Sequence, residues 1–329
     1  MTANAHKLTR IALEIACRRK KPVSLIWNGL ANRVTRPQAF CREMPGIVTR
    51  YMFSKILSIL RDRWHPLRKL RSLAVFRWFQ NRFDRTIYKR VAGTRLGVAM
   101  KLLRDASWTA IPLEPEVRVA FKLVLEATNP KVFWDVGANL GFYSWVVRQH
   151  PSIEQVVLFE PDPTNFELIT KTVSKNAVSN CRPMNLALSD RPGEALFLVD
   201  RASGATGSLG SVSNAGHPRS LQHEYGMSET ITCRTATVDD LIRQGLPAPD
   251  LMKIDVEGAE HLVLAGAEAC LEKERPAMIL ETSNSALLRE LNEKGYTIFR
   301  IDEGNLLCVY AEPGELVPFE QAFDLVKSG

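Results

Sequence analysis

Asp135-Val136-Gly137-Ala138-Asn139-Leu140-Gly141 is the stretch on which the reading of this chain turns. It follows a short apolar run, Val132–Val136, and opens a helical stretch over residues 141–149. Gly137 and Gly141 let a backbone turn sharply and approach a ligand with no Cβ between them. Asn139 adopts the left-handed conformation more readily than most residues. A helix that starts here offers free N–H groups and a positive dipole end to a carboxylate or phosphate. Glu160 lies 19 residues after Gly141, in Phe159-Glu160-Pro161 at the end of a second apolar run. An acid so placed accepts hydrogen bonds from ribose hydroxyls. The glycines alone would equally suit a plain strand–helix turn; the matched acid turns the reading toward an adenosine-bearing ligand.

Working outward, apolar runs at Val132–Val136, Gln155–Phe159, Leu251–Val256, Ala277–Leu280 and Tyr296–Ile301 alternate with helical stretches. The helices read as 117–127, 141–149, 164–176, 238–244, 259–271 and 285–294. Continuous apolar strands alternating with helices predict a doubly wound α/β domain, its parallel sheet covered on both faces. The last run, Leu306–Ala311, follows Tyr296–Ile301 through a short turn, so these two are antiparallel neighbours. Residues 200–229 break the rhythm with a long polar loop between strand-like runs at 195–199 and 230–236. Such a loop reads as a lid, with His217, Arg219 and His223 placed to touch an acceptor, or as a surface insertion.

Charge divides the chain. Residues 1–90 hold 21 Lys and Arg against four acids; the remainder holds 22 against 32. Residues 1–95 read as a basic, mainly helical extension broken at Pro22, Pro37, Pro45 and Pro66, ahead of a catalytic domain at 96–329. From Tyr51 to Phe83 apolar residues share one helical face and cations the other. This suits an anionic membrane surface or packing on the domain, more than nucleic acid. No apolar run is long enough to span a bilayer. Six unclustered cysteines and no secretory pattern point to a reducing, cytoplasmic setting, peripheral to the inner face of a membrane if the extension binds one.

The ligand follows from the spacing. A dinucleotide fingerprint is G-x-G-x-x-G, whereas here the pattern is G-x-N-x-G with an acid two residues before the first Gly. A pyrophosphate disfavours that acid; the ammonium of S-adenosylmethionine welcomes Asp135. An NAD-dependent oxidoreductase is the alternative enzyme, and a non-catalytic membrane or nucleic-acid binding module the non-enzymatic one. Four blocks then carry a resemblance: Asp135–Tyr143, Phe159-Glu160-Pro161, Asn185–Ser189 and Lys253-Ile-Asp-Val-Glu-Gly-Ala-Glu260. Together they resemble the FkbM family of S-adenosylmethionine-dependent methyltransferases over roughly residues 130–300. The resemblance implies a Rossmann-like class I methyltransferase sheet of seven strands, in order 3-2-1-4-5-7-6, and transfer to a hydroxyl on a small molecule, sugar or glycan. It places Asp135, Gly137, Asn139 and Gly141 along the methionine part of the cofactor, Glu160 at the ribose, and Ala187 and Leu188 near the adenine.

Methyl transfer from a sulfonium is an in-line displacement, and a hydroxyl acceptor needs a base within reach. Asp255 and Glu257 fall at the end of the fourth strand, beside the first, where ligands bind in such sheets. His261 shares a face with Glu257 if a helix begins by Glu257. Asp255, Glu257 and His261 are therefore the expected acceptor-side residues, with Glu281 at the end of the next strand as an outlying member. Each has a plainer reading: Glu257 or Glu260 as complement to a helix N-terminus, His261 as a surface histidine, Lys253 as partner to an acid. No firm ligand spacing for a metal is present, and none is expected.

Overall fold

The computed structural model describes residues 82–91, 94–105, 114–200, 207–210, 228–312 and 314–326. The amphipathic stretch, all but its last two residues, and the loop histidines with Arg219 lie outside the described residues.

In chain order the elements are β1 (Thr86–Arg90), β2 (Gly97–Lys101), α1 (Pro115–Thr128), β3 (Val132–Val136), α2 (Phe142–Val147), β4 (Gln155–Phe159), α3 (Pro163–Lys175), β5 (Cys181–Met184), β6 (Ala187–Leu188), β7 (Gly193–Asp200) and β8 (Gly207–Gly210). There follow β9 (Ser228–Ala236), α4 (Val238–Arg243), β10 (Leu251–Ile254), α5 (Glu260–Ala265), α6 (Glu268–Lys273), β11 (Ala277–Glu281), α7 (Ser285–Glu293), β12 (Thr297–Arg300), β13 (Asn305–Val309), α8 (Val317–Ala322) and β14 (Asp324–Leu325). Among the described residues the main sheet has eight strands, ordered β14-β12-β13-β11-β10-β3-β4-β5. From β5 to β11 neighbours pair in parallel; β13, β12 and β14 add antiparallel partners. The expected count was seven. The eighth strand, β14, is two residues long and pairs only at the outer edge of β12.

Strand alternation builds two cores. Phe133, Val156, Leu158 and Ile279 point to the face shared with Phe121, Trp145 and Phe319, whereas Trp134, Val157, Phe159 and Met278 point to the face shared with Leu241, Val263 and Leu287. Because both faces are buried, the strands need apolar residues at consecutive positions, which is why they stand out in the sequence. β5 has no such run. It is an edge strand with Pro183 in it, and a proline is tolerated where no ladder bond is required.

Two readings are corrected. The stretch expected as one helix over 259–271 is two, α5 and α6, separated at Gly266-Ala267. Asp239 of α4 explains the restart: its carboxylate accepts from the N–H groups of Ala269 and Cys270, each at 2.9 Å, at the open N-terminus of α6. Replacing Asp239 by Ala should cost about 1–2 kcal/mol of stability. A lowered urea midpoint at unchanged slope is the expected readout. The second correction concerns residues 86–90. They form a strand rather than helix, and the β1–β2 hairpin crosses the expected 95/96 boundary. β2 buries Val98, Ala99 and Met100 and lies against α3, where the Ala99 N–H donates to Thr172 Oγ1 at 2.9 Å.

A separate four-stranded sheet, β6-β9-β7-β8, rises beside the main one. The runs expected at 195–199 and 230–236 are its β7 and β9, and the loop between them contributes a further strand, β8. No helix among the described residues is long and apolar enough to cross a membrane.

Candidate active site

A cavity of about 230 Å³ opens beyond the carboxyl ends of β3, β4, β10 and β11, the edge at which open α/β sheets take ligands. One end is built by the first two strand ends. Gly137 and Ala138 donate their N–H groups to the Phe159 carbonyl, closing the β3 loop over β4. Asn139 takes the left-handed conformation at φ 53°, as expected of it, and its N–H donates to Glu160 Oε2 at 2.7 Å. Glu160 Oε1 accepts from the Asp162 N–H at 2.8 Å. Glu160 is only 5% exposed, and burial pushes its carboxyl up to about 8 despite those two bonds. A carboxylate has about four lone-pair sites, so acceptor capacity remains for a ligand. Leu186, Ala187 and Leu188 form one wall beside it, and Phe197, Val199 and Leu209 of the smaller sheet form another.

Asp135 also borders the cavity, but both its hydrogen bonds fall on Oδ2, from the Ser144 N–H at 3.2 Å and Ser144 Oγ at 2.6 Å. It thus anchors the start of α2 as well as facing the site. Burial raises its carboxyl against the pull of Ser144 and Lys253.

The other end gathers acids around Lys253. Lys253 is 1% exposed, and its ammonium pairs with Asp255 while standing 4.8 Å over the Tyr143 ring. Burial pulls the ammonium's pKa down, but Asp255, Glu114 and Asp135 more than offset this and hold it above the usual lysine value. The Tyr143 hydroxyl donates to Glu114, whose carboxyl is raised by burial. At the rim, the enclosing wall and then Asp255 lift Glu257 to about 7, and the same causes lift Glu281 to about 8. Carboxyls titrating near neutrality can take up a proton at working pH. Among the described residues no group of His, Cys, Asp or Glu is arranged to hold a metal ion.

Most of the expected residues thus meet in one cavity: Asp135, Gly137, Asn139, Glu160, Ala187 and Leu188 toward one end, Asp255, Glu257 and Glu281 toward the other. Two do not line it. Gly141 instead packs under Trp145, where an added Cβ would stand 2.8 Å from the indole. His261 is exposed, and α5 begins at Glu260 rather than Glu257. Glu257 sits in a turn at φ 53°, so the shared helical face does not exist. Sequence reasoning passed over Glu114, Tyr143 and Asn165. Tyr143 stood inside a matched block, one residue into α2. Glu114 carried no local signal, since the packing of α1 on α2 is what brings it to Tyr143.

Comparison with known proteins adds the family. Residues 135–298, about half of the chain, match the Methyltransferase FkbM domain. The hexuronic acid methyltransferase AglP of Haloferax volcanii is 30% identical over 166 residues, covering 50% of this chain and 62% of that protein. The 2-O-methyltransferase NoeI of Sinorhizobium fredii is 29% identical over 156 residues, covering 46% and 63%. Methyltransferase sdnD of Sordaria araneosa is 24% identical over 197 residues, covering 53% and 76%. The chain therefore spans less than two thirds of AglP and of NoeI. With its glycine turn, matched acid and Lys253–Glu260 block all falling inside the matched residues, the chain belongs, through its domain at 135–298, to the FkbM methyltransferase family.

Proposed function

We propose that this protein transfers a methyl group from S-adenosylmethionine to a hydroxyl oxygen of a sugar, glycan or related metabolite. One observation carries the reading: a single cavity joins a slot walled by apolar side chains and closed by the buried Glu160 to a chamber of carboxylates around Lys253. The residues fit that cofactor. Glu160 offers a desolvated acceptor for vicinal ribose hydroxyls, Leu188 and Phe197 offer flat apolar contact for a purine, and Asp135 offers a negative charge for an ammonium. The bound sulfonium supplies an activated methyl group. The chain's own residues then have to orient the acceptor and accept its proton. Lys253 holds Asp255 in place, which makes Asp255 an orienting acid, and leaves Glu257 and Glu281 as the carboxylates that can take the proton. Relatives that methylate a hexuronic acid and a 2-oxygen support a sugar hydroxyl as acceptor.

Isothermal titration with S-adenosylmethionine, S-adenosylhomocysteine and NAD tests the cofactor. Binding of NAD alone would select an oxidoreductase, and binding of none a non-catalytic module. Mass spectrometry of glycans from cells lacking the gene should reveal a lost methyl group. The titration should also depend on pH through Glu160. Its ionised form accepts ribose hydroxyls, and protonation near 8 removes that form. S-adenosylhomocysteine affinity should therefore fall about twentyfold from pH 8.5 to pH 6.5. In Glu160→Gln it should be weak and nearly flat over that range.

A further inference from the structure

The turn after β2 lies outside the matched family domain, yet its Arg104 bonds to Asn165, a residue that lines the cavity. Asp84 accepts from the N–H groups of Leu103 and Arg104 at 2.7 and 3.0 Å, and Asp105 Oδ2 accepts from the Lys101 N–H at 2.7 Å. This fixes the guanidinium of Arg104, itself 5% exposed. Its Nε donates to Asp105 Oδ1 at 2.7 Å, and its Nη2 donates to Asn165 Oδ1 at 2.8 Å. Asn165, on the first turn of α3, is likewise 5% exposed and borders the cavity beside Asp162.

A guanidinium has donors and no acceptor, so it dictates which way the Asn165 amide lies. The oxygen must face Arg104, and the NH₂ group must face away. That nitrogen has no hydrogen-bond partner among the described residues, and it is not one of the fully enclosed, unsatisfied atoms. A donor held in this way in the cavity that Glu160 also lines complements it. Glu160 accepts from a nucleoside's hydroxyls, and Asn165 can donate to a ribose oxygen or a ring nitrogen.

Building on the proposed cofactor, we propose that Asn165 is a nucleoside-binding residue and Arg104 the residue that positions it, so that the segment before the family domain helps form the cofactor site. Asn165→Asp provides the test, because it replaces the donor by an acceptor while giving Arg104 an anionic partner that keeps the turn in place. Calorimetric titration of adenosine and of S-adenosylhomocysteine should each show Kd raised about tenfold, with the thermal midpoint of the ligand-free protein unchanged or higher. Arg104→Lys keeps the charge but not the fork, and should weaken both ligands. Its effect should be lost in the Asn165→Asp background, where there is no donor left to aim. A role in folding alone would move the midpoint and leave the two effects on Kd additive. Unchanged Kd in Asn165→Asp overturns the assignment of Asn165, and additive losses in the double variant overturn that of Arg104. Wild-type protein that binds neither probe overturns the cofactor reading, and this inference with it.

Discussion

Gly137→Ala should abolish S-adenosylhomocysteine binding and lower the thermal midpoint by about 10 °C or more. The main cause is space. A Cβ on Gly137 would stand 1.9 Å from the Asp255 carbonyl oxygen and 2.9 Å from its carbon, both backbone atoms that no side-chain rotation can move aside. The backbone there is also at φ 79°, a conformation that costs an L residue about 1–2 kcal/mol. Relief is blocked on both sides. The Gly137 N–H is tied to Phe159, and the Asp255 N–H donates to the Val136 carbonyl at 3.0 Å. To admit the methyl group, the ends of β3 and β10 must part, which opens the cavity floor between its two halves. Gly258→Ala separates the two causes. Gly258 is at φ 100°, and among the described residues no atom beyond its chain neighbours lies within 4 Å of the place its added methyl would take, so that variant should lose only the conformational cost. Equal midpoints for the two variants in differential scanning calorimetry would show that crowding at Gly137 is not what matters.

How much of this was legible in the sequence depends on whether a residue acts along its own strand or across the fold. Val132–Val136 and Gln155–Phe159 were readable to the residue, because burial on both faces forces an unbroken apolar run. Gly137, Asn139 and Glu160 were readable for a related reason: turn conformation and strand-end position are local properties. β5 was not, since an edge strand with Pro183 needs neither the apolar run nor a full ladder. His261 failed on a boundary. A start of α5 three residues later than the one assumed removes the face it would share with Glu257. The cavity-lining Asn165 and the acid-side Glu114 escaped notice because their partners lie far away in sequence, Arg104 at 61 residues and Tyr143 at 29. Composition near either one does not signal such a contact.

Lys253→Met should show how far the acidic chamber depends on this ammonium. The substitution keeps an unbranched side chain of similar length and removes the charge. Removing one partner of a buried pair strands the other, at a typical cost of about 3–5 kcal/mol; Asp255 keeps some solvent contact, so the lower figure applies here. The loss also has a pH signature. In the wild type the ammonium's pKa lies above its unfolded value, so its stabilisation is fully present below the ordinary lysine range and fades only as pH rises through the folded value. On the acid side the ammonium loses its further anionic neighbours as Glu114 and Asp135, both raised by burial, take up protons. Urea unfolding should therefore separate wild type and Lys253→Met by about 3 kcal/mol at pH 8, and by less at pH 5. The remaining carboxyls carry a second consequence. Without the ammonium, Glu257 and Glu281 should titrate still higher than about 7 and about 8, because Lys253 is what now lowers them. Methyl transfer should then require a more alkaline medium, while S-adenosylhomocysteine, held chiefly at the Glu160 end, keeps nearly its wild-type affinity. A variant as stable as the wild type at pH 8 would mean that the ammonium does not hold these acids together.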